Sequence, residues 1–485
     1  MMDRTTTTIE RRLSIPGFTG AGERIALRSP YGGNEIARVE LAGDDALEAA
    51  MTAAHECFQE KMSSIPGWQR REWLERAAEI VVSEAEDLAL QIAKEGGKPL
   101  VDARVEVTRA SRTIRLAAEE ATNLSGETIP MDKAPGTESR LAFTIREPLG
   151  VVVAISAFNH PVNLIAHQVA PALACGNTVV VKPATQTPLS CIRLVEAFRE
   201  AGFPEAAVIA VPCRGAAAEK LARDARTRFV TFIGSDEVGW KLRAIMNPGA
   251  RFSLEHGGEA AVIVDESADL DRAVPALVKG AFYHAGQVCI SVQRIYAHER
   301  VRAELERRLV EEAAKLEVGD PTKASTAVGP LISLKDVDRV HEWVQGAVQR
   351  GAKLLLGGKP LANQCYAVTV LADPPEDSEV IAKEVFGPVV SILEFSDLND
   401  AVKRVNASQN PFQVAVFAQD VDRAMHVARA INANAVIVND HSAFRVDWMP
   451  FGGRENAGFG MGGVHDACRE MSRPKLIVMN LKPGA

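Results

Sequence analysis

Residues 151–163 read V-V-V-A-I-S-A-F-N-H-P-V-N, and residues 178–185 read T-V-V-V-K-P-A-T. Val151–Ile155 and Thr178–Lys182 are apolar, β-branched runs of the length of a buried strand. The stretch Val162–Val181 is the most apolar long run in the chain, but it contains His167, Gln168, Pro171 and Asn177. That interruption argues for a buried helix and strand, not a membrane span. The alternation continues with a helix over Pro188–Ala201, ended by Gly202, and strands over Val208–Val211 and Phe229–Ile233. Strand, helix, strand, helix implies a parallel sheet covered by helices on both faces. Such sheets hold ligands at the carboxyl ends of their strands. A second α/β pattern starts at Ala261, with a strand over Val262–Val264 and helices over Leu270–His284 and Val301–Lys315. Later strands are expected at Val389–Leu393, Val414–Phe417 and Ala435–Val438.

Upstream, residues 1–40 have the look of edge and loop material, with turns at Pro16-Gly17 and Tyr31-Gly32-Gly33. Helical spacing follows from Asp44-Asp45 through Leu47, Met51, Ala54, Phe58 and Met62. Further helices are expected from about Trp68 to Lys94 and from about Leu100 to Leu124. Residues 127–150 change character, since Leu141, Phe143 and Ile145 alternate as in a half-exposed strand. Leu476–Asn480 is strand-like too, so an insertion and a tail together can form a flap that covers a neighbouring subunit.

The 485 residues are 47% hydrophobic and carry a formal net charge of −8, without a basic block that would suggest nucleic acid. The N-terminus, M-M-D-R-T-T-T-T-I-E-R-R, lacks the apolar stretch of a signal peptide. Seven sparse cysteines indicate neither a disulfide framework nor a zinc site, and a reducing cytoplasm is the expected location.

Chemistry-bearing residues recur at strand ends and loops. His284–Arg294 reads H-A-G-Q-V-C-I-S-V-Q-R, where the Cys289 thiol can attack an electrophilic carbon. Arg251–Ala261 reads R-F-S-L-E-H-G-G-E-A-A, and Glu255 at the end of its apolar segment suits a general base. Asn159 follows the strand Val151–Ile155, and its amide can donate to a developing oxyanion. Lys182 ends a strand where ribose hydroxyls or a phosphate would lie. In F-I-G-S-D-E-V-G, Gly234 permits a tight turn, and Ser235 opens a helix whose first amides suit a pyrophosphate. Glu384–Val389 reads E-V-F-G-P-V and Pro450–Gly453 reads P-F-G-G. Each feature has an ordinary alternative: a buried thiol, a solvated strand-end carboxylate, a turn Asn, a helix cap. Their coincidence in one chain favours chemistry.

F-N-H-P, V-K-P-A, F-I-G-S, L-E-H-G-G, G-Q-V-C, E-V-F-G-P-V and P-F-G-G, in this order, resemble the aldehyde dehydrogenase superfamily over nearly the whole chain. The resemblance implies an α/β fold in three parts: a Rossmann-like cofactor domain (1–126 and 150–256), an α/β catalytic domain (257–465) and a small β oligomerisation flap (127–149 and 466–485). It implies a homo-oligomer, dimer or tetramer, that oxidises an aldehyde with NAD or NADP. Cys289 would form a thiohemiacetal and then a thioester, with the oxyanion held by Asn159 and the Cys289 amide, and Glu255 would activate the hydrolytic water. Ile155, Lys182, Thr185, Gly234, Ser235, Glu384 and Phe386 would contact the cofactor.

The sequence also departs from the family. Thr185 stands where a Glu commonly repels a 2′-phosphate, so acceptance of NADP is expected. His256 replaces the more usual Leu, Glu259 a frequent Lys or Asn, and His160 a Trp or Phe beside the reacting carbon. Arg104, on a helix expected to line the substrate entrance, and Arg445, in A-F-R-V-D, suit an anionic group. The pattern looks most like the branch of lactaldehyde, non-phosphorylating glyceraldehyde-3-phosphate and phosphonoacetaldehyde dehydrogenases, which implies a small, polar, anionic aldehyde. A CoA-acylating enzyme, a thiol hydrolase and a non-catalytic binding protein of the same fold are the rivals. Glu255 argues against the first, the Lys182 and Ser235 motifs against the second, and the complete Cys289–Glu255–Asn159 set against the third.

Overall fold

In the computed structural model, which describes residues 9–481, Val151–Ile155 is an inner strand of a six-stranded sheet. The run Thr5–Thr8 and the last four residues of the tail segment lie outside the described residues. The strand order is Gly458–Phe459, Arg251–Glu255, Thr227–Ile233, Val151–Ile155, Thr178–Lys182, Val208–Ala210. All neighbours are parallel except the two-residue edge strand Gly458–Phe459. The chain runs outward from Val151–Ile155 in one direction, then crosses back to build the other side. That reversal opens a crevice at the carboxyl ends of Val151–Ile155 and Thr227–Ile233.

A second sheet, of seven strands, runs Lys353–Leu356, Thr369–Ala372, Val389–Phe395, Arg294–His298, Ala261–Val264, Gln413–Phe417, Ala435–Val438. It is parallel apart from its first member. Its central strands are buried end to end, as expected of a parallel sheet covered on both faces. Arg140–Pro148 pairs antiparallel with Ser472–Asn480 over nine residues and with Thr128–Ile129 on its other edge, which joins the insertion to the tail. Leu141, Ile145, Leu476, Val478 and Met479 of this ribbon are exposed. Among the described residues no helix is long and apolar enough to cross a membrane.

Three expectations change. Residues 1–40 contain a small sheet, Ile9–Arg11, Glu23–Arg28 and Glu35–Leu41, because alternate positions such as Leu27, Ala37 and Val39 pack inward. The helix expected over Trp68–Lys94 is two, Gly67–Ser83 and Ala85–Gly96, broken at Glu84, whose carboxylate turns to Arg193. The helix expected over Leu270–His284 ends at Phe282, since His284 and Ala285 adopt positive φ of 48° and 55°.

Helix Asn163–Ala174 is buried on every side, against the first sheet and helix Leu100–Asn123. A helix start enclosed in this way needs partners for its free amides. Glu106 supplies them: its Oε1 accepts from Val162 N at 2.9 Å and Asn163 N at 3.1 Å. Its Oε2 pairs with Lys98, and neither side chain reaches solvent. Glu106→Ala would leave a buried ammonium and two amides unpaired. A loss of about 3–5 kcal/mol is expected in denaturant unfolding, with only the part due to the unpaired ammonium recovered in Lys98→Met/Glu106→Leu, since the two amides stay unpaired. A loss under about 1 kcal/mol, the size of a surface pair, would contradict this.

Candidate active site

After Phe282 the chain makes a tight left-handed turn through His284, Ala285 and Gly286. A Cβ at 286 would collide with the Gly387 carbonyl. A second turn follows at Val288–Ser291, closed by Ser291 N donating to the Val288 carbonyl at 2.9 Å; Val288 and Ile290 pack with Phe412, Phe451 and Ala457, and Cys289 faces a cavity of about 1020 Å³. All seven cysteines are free, and Cys289 alone is not buried. Gln287 pins the loop, donating to the carbonyls of His284 and Pro330 at 3.3 Å and accepting from Ile332 N at 2.9 Å.

Asn159 and Glu255 reach the same cavity from the first sheet. Asn159 Nδ2 donates to the Gln287 carbonyl at 2.9 Å, which ties the strand-end loop to the cysteine loop and leaves its second N–H free. Glu255 closes the strand Arg251–Glu255. Burial raises its carboxyl above the usual range, opposed by the Arg445 cation. Burial also pushes the Cys289 thiol well up, and the carboxylates of Glu255 and Glu384 add to this, while Arg445 works against it.

The cavity extends along the crevice to Ile155, Lys182, Thr185, Gly234, Ser235 and Phe386, so every residue expected at a cofactor lines it. Ser235 precedes helix Asp236–Ile245 and makes no side-chain cap; Glu237 N donates to Asp236 Oδ1 at 2.8 Å, and the amides of Asp236 and Val238 remain open. Lys182 Nζ donates to its neighbour's carbonyl at 3.0 Å. Gly258 N donates to Glu384 Oε1 at 3.1 Å, and Gly257 leaves the space that Glu384 occupies, because any Cβ there would overlap the carboxylate. Burial pushes the Glu384 carboxyl up to about 8. Phe386, at φ 48°, meets Phe158 edge to face. The buried Ser156 hydroxyl, on the cavity wall, has no partner. A long crevice lined by open helix amides, a lysine, an unpartnered hydroxyl and a carboxylate over a glycine has the donor and acceptor set a dinucleotide needs.

The arginines divide. Arg104 is exposed, bidentate with Glu86 (2.6 and 2.8 Å), and does not line the cavity; it points from the outer face of its helix. Arg109, five residues on, does line it, held by Asp447 at 2.7 and 3.2 Å. Arg445 lies over the Phe451 ring, 3.5 Å from its centroid, and its Nε is buried without a partner. His160 Nε2 meets the Tyr283 hydroxyl at 3.2 Å, and burial, with Lys98 nearby, holds His160 neutral. Sequence reasoning missed Arg109, Tyr283 and Ser156. The buried stripe Ala103, Val107, Ala110 and Ile114 is flanked by Arg104 on one side and Arg109 on the other, so it does not rank them, and no spacing rule selects the other two. His256 is buried against Phe232 and Trp240, its Nδ1–H donating to the Asn456 carbonyl at 2.8 Å. Glu259 accepts from Ser408 and Asn410, fixing that loop.

A switch-point crevice with a thiol at one end and helix amides at the other is the architecture of a dinucleotide-dependent oxidoreductase. Residues 18–477 match the aldehyde dehydrogenase family, and the chain belongs to that family. The 3-sulfolactaldehyde dehydrogenase of Priestia aryabhattai is 40% identical over 461 residues, 95% of each chain. Among solved structures, aldehyde dehydrogenase 21 from Physcomitrella patens, in complex with the reaction product succinate, superposes with a TM-score of 0.95 at 33% identity, over 99% of this chain and 100% of that one. The glyceraldehyde-3-phosphate dehydrogenase of Methanocaldococcus jannaschii, complexed with NADP, gives 0.91 at 33% identity, over 96% and 100%.

The raised Glu384 carboxyl has a consequence for cofactor binding. If the ionised form takes the ribose hydroxyls, the free enzyme must lose a proton to bind below about pH 8. Affinity for NADP should therefore weaken as pH falls below about 8 in wild type, and should be flat there in Glu384→Gln, read by fluorescence titration. Identical pH dependence in both proteins would contradict the assignment.

Proposed function

We propose that this aldehyde dehydrogenase oxidises a small, polar, anionic aldehyde to its carboxylic acid with NADP or NAD. The observation that carries the reading is Arg445: a guanidinium on the cavity wall, stacked on Phe451, without a carboxylate partner. The nearest carboxylate in sequence, Asp447, is committed to Arg109 and His167. A fixed, forked cation with no carboxylate in salt-bridge contact suits a carboxylate or sulfonate tail. The Tyr283 hydroxyl and His160 line the same end and suit polar substituents between tail and carbonyl. The sulfolactaldehyde-oxidising relative and the succinate-bound neighbour act on or hold small anions of this kind.

In the reaction, Glu255 takes the thiol proton and Cys289 sulfur bonds to the carbonyl carbon. The free N–H of Asn159 and the Cys289 amide stabilise the oxyanion. Collapse of that oxyanion expels a hydride and leaves a thioester on Cys289. When bound, the oxidised nicotinamide supplies the hydride acceptor. Glu255 gives up the thiol proton to solvent and then deprotonates a water, which attacks the thioester; the carbon–sulfur bond breaks, the acid leaves, and the thiolate is restored. Burial raises Glu255 above the ordinary carboxylate range, which makes it a stronger proton acceptor for both transfers.

Lys182, Ser235 and Glu384 would hold the cofactor, with Thr185 at its adenosine ribose. Thr185 brings no negative charge to oppose a 2′-phosphate, and this supports use of NADP at least as well as NAD. The division into a cofactor domain (1–126, 150–256), a catalytic domain (257–465) and a flap (127–149, 466–485) accords with the two parallel sheets and the antiparallel ribbon. The exposed apolar side chains of the ribbon suit coverage by a second copy in a homo-oligomer. Six buried free thiols and one reactive one suit a reducing cytoplasm.

The test is a panel of short aldehydes with sulfonate, carboxylate or neutral tails, each with NAD and NADP, followed by absorbance of reduced cofactor. Anionic tails should be preferred, and Arg445→Met should raise KM for them roughly 10–100-fold while neutral aldehydes change little. The NADP kcat/KM should equal or exceed that of NAD. Equal KM for anionic and neutral tails in wild type would overturn the substrate class.

A further inference from the structure

We propose that the Arg445 cation is shared between the substrate's anionic tail and Glu255, so that docking of the tail couples substrate recognition to water activation. The inference rests on the anionic-aldehyde reading above and extends it from binding to the hydrolytic step. Arg445 would act there as a positioning residue, through the carboxylate of Glu255.

The geometry puts the two groups on one partition. Glu255 and Arg445 both line the main cavity, and both also line a small cleft behind it together with His167, Gln168, Gly462 and Glu470. Arg445 stacks at 3.5 Å on Phe451, whose N donates to the Gly462 carbonyl at 3.1 Å. Gly462 in turn abuts Glu255: a Cβ there would lie 3.9 Å from Oε2. Arg445, Phe451, Gly462 and Glu255 thus form one continuous packed layer.

Other charged groups around Glu255 are accounted for. Cys289 shares the cavity with it, and Glu384 lies beyond Gly257. His167 donates to Asp447 and is held largely neutral by burial, its pKa lowered to about 4. His256 turns away to the Asn456 carbonyl. Glu470 lines the rear cleft and carries the same sign as Glu255. Arg109 is neutralised by Asp447. Arg445 is the cation left to oppose the desolvation of Glu255, and its charge does not titrate in the working range.

An anion bound to Arg445 cancels its field at Glu255, and a carboxylate that loses a nearby cation becomes more basic. The tail of an acyl group waiting on Cys289 would therefore strengthen the base that releases it. A neutral acyl group would leave Glu255 under the full influence of Arg445.

The experiment follows acyl-enzyme hydrolysis in single turnover as a function of pH, with a carboxylate- or sulfonate-tailed aldehyde and a neutral one of equal length. In wild type the acid limb should lie higher with the anionic tail, by about half a pH unit or more. In Arg445→Met the two limbs should coincide at the higher value, and Arg445→Lys should restore the difference. Coincident limbs in wild type overturn the coupling, and this arm needs no variant to fold. A KM preference for anionic tails without a difference in limbs would overturn the coupling and leave the substrate reading intact. Absence of that KM preference would remove both.

Discussion

The hydrogen bond from Asn159 Nδ2 to the Gln287 carbonyl, at 2.9 Å, joins the two α/β units where the chemistry is placed. Asn159 sits at the carboxyl end of a strand in the first sheet, and Gln287 in the turn that follows a helix of the second unit. Each is held from behind: Gln287 by Pro330 and Ile332, and the segment after Asn159 by Glu106 at the start of helix Asn163–Ala174. The thiol, the amide and the carboxylate are therefore fixed by elements that span the molecule. The glycines near them have steric reasons of their own, since side chains at 257 and 286 would strike Glu384 and the Gly387 carbonyl.

Desolvation dominates the electrostatics of the crevice. It raises Cys289, Glu255 and Glu384 together and lowers His160. Against that background an uncompensated cation carries large weight, because a charge acts more strongly where water is excluded. Arg109 is spent on Asp447, which leaves Arg445 as the free guanidinium of the substrate end. Arg445 thus shares one cavity with the Cys289 thiol and the Glu255 carboxylate.

The parallel sheets were legible because fully buried strands write themselves as short β-branched runs, as in Val151–Ile155 and Thr178–Lys182. Glu255 stood out because it closes such a run, Asn159 because it follows one in the strand-end loop, and Cys289 because it precedes one; all three line one cavity. Arg104 was misjudged because both arginines flank the buried stripe of their helix, and only the packing of each flank shows which one meets the cavity. Five positions are about 140° around a helix, enough to carry Arg104 out to Glu86 while Arg109 turns inward. The break at Glu84 uses neither Gly nor Pro, and the left-handed turn puts two non-glycine residues, His284 and Ala285, at positive φ before Gly286; tertiary contacts impose both. The small N-terminal sheet was missed because its outer strands, Ile9–Arg11 and Glu23–Arg28, are short and mostly exposed.

The central claim is that Cys289 carries the acyl group between hydride loss and a hydrolysis that depends on Glu255. Intact-mass spectrometry of Glu255→Gln, mixed with NADP and a sulfonate- or carboxylate-tailed aldehyde, tests it most directly. The account predicts about one acyl group per chain, mapped by peptide analysis to Cys289 and absent in Cys289→Ala. Unmodified protein after reduced cofactor has appeared, or an adduct on another residue, would contradict it.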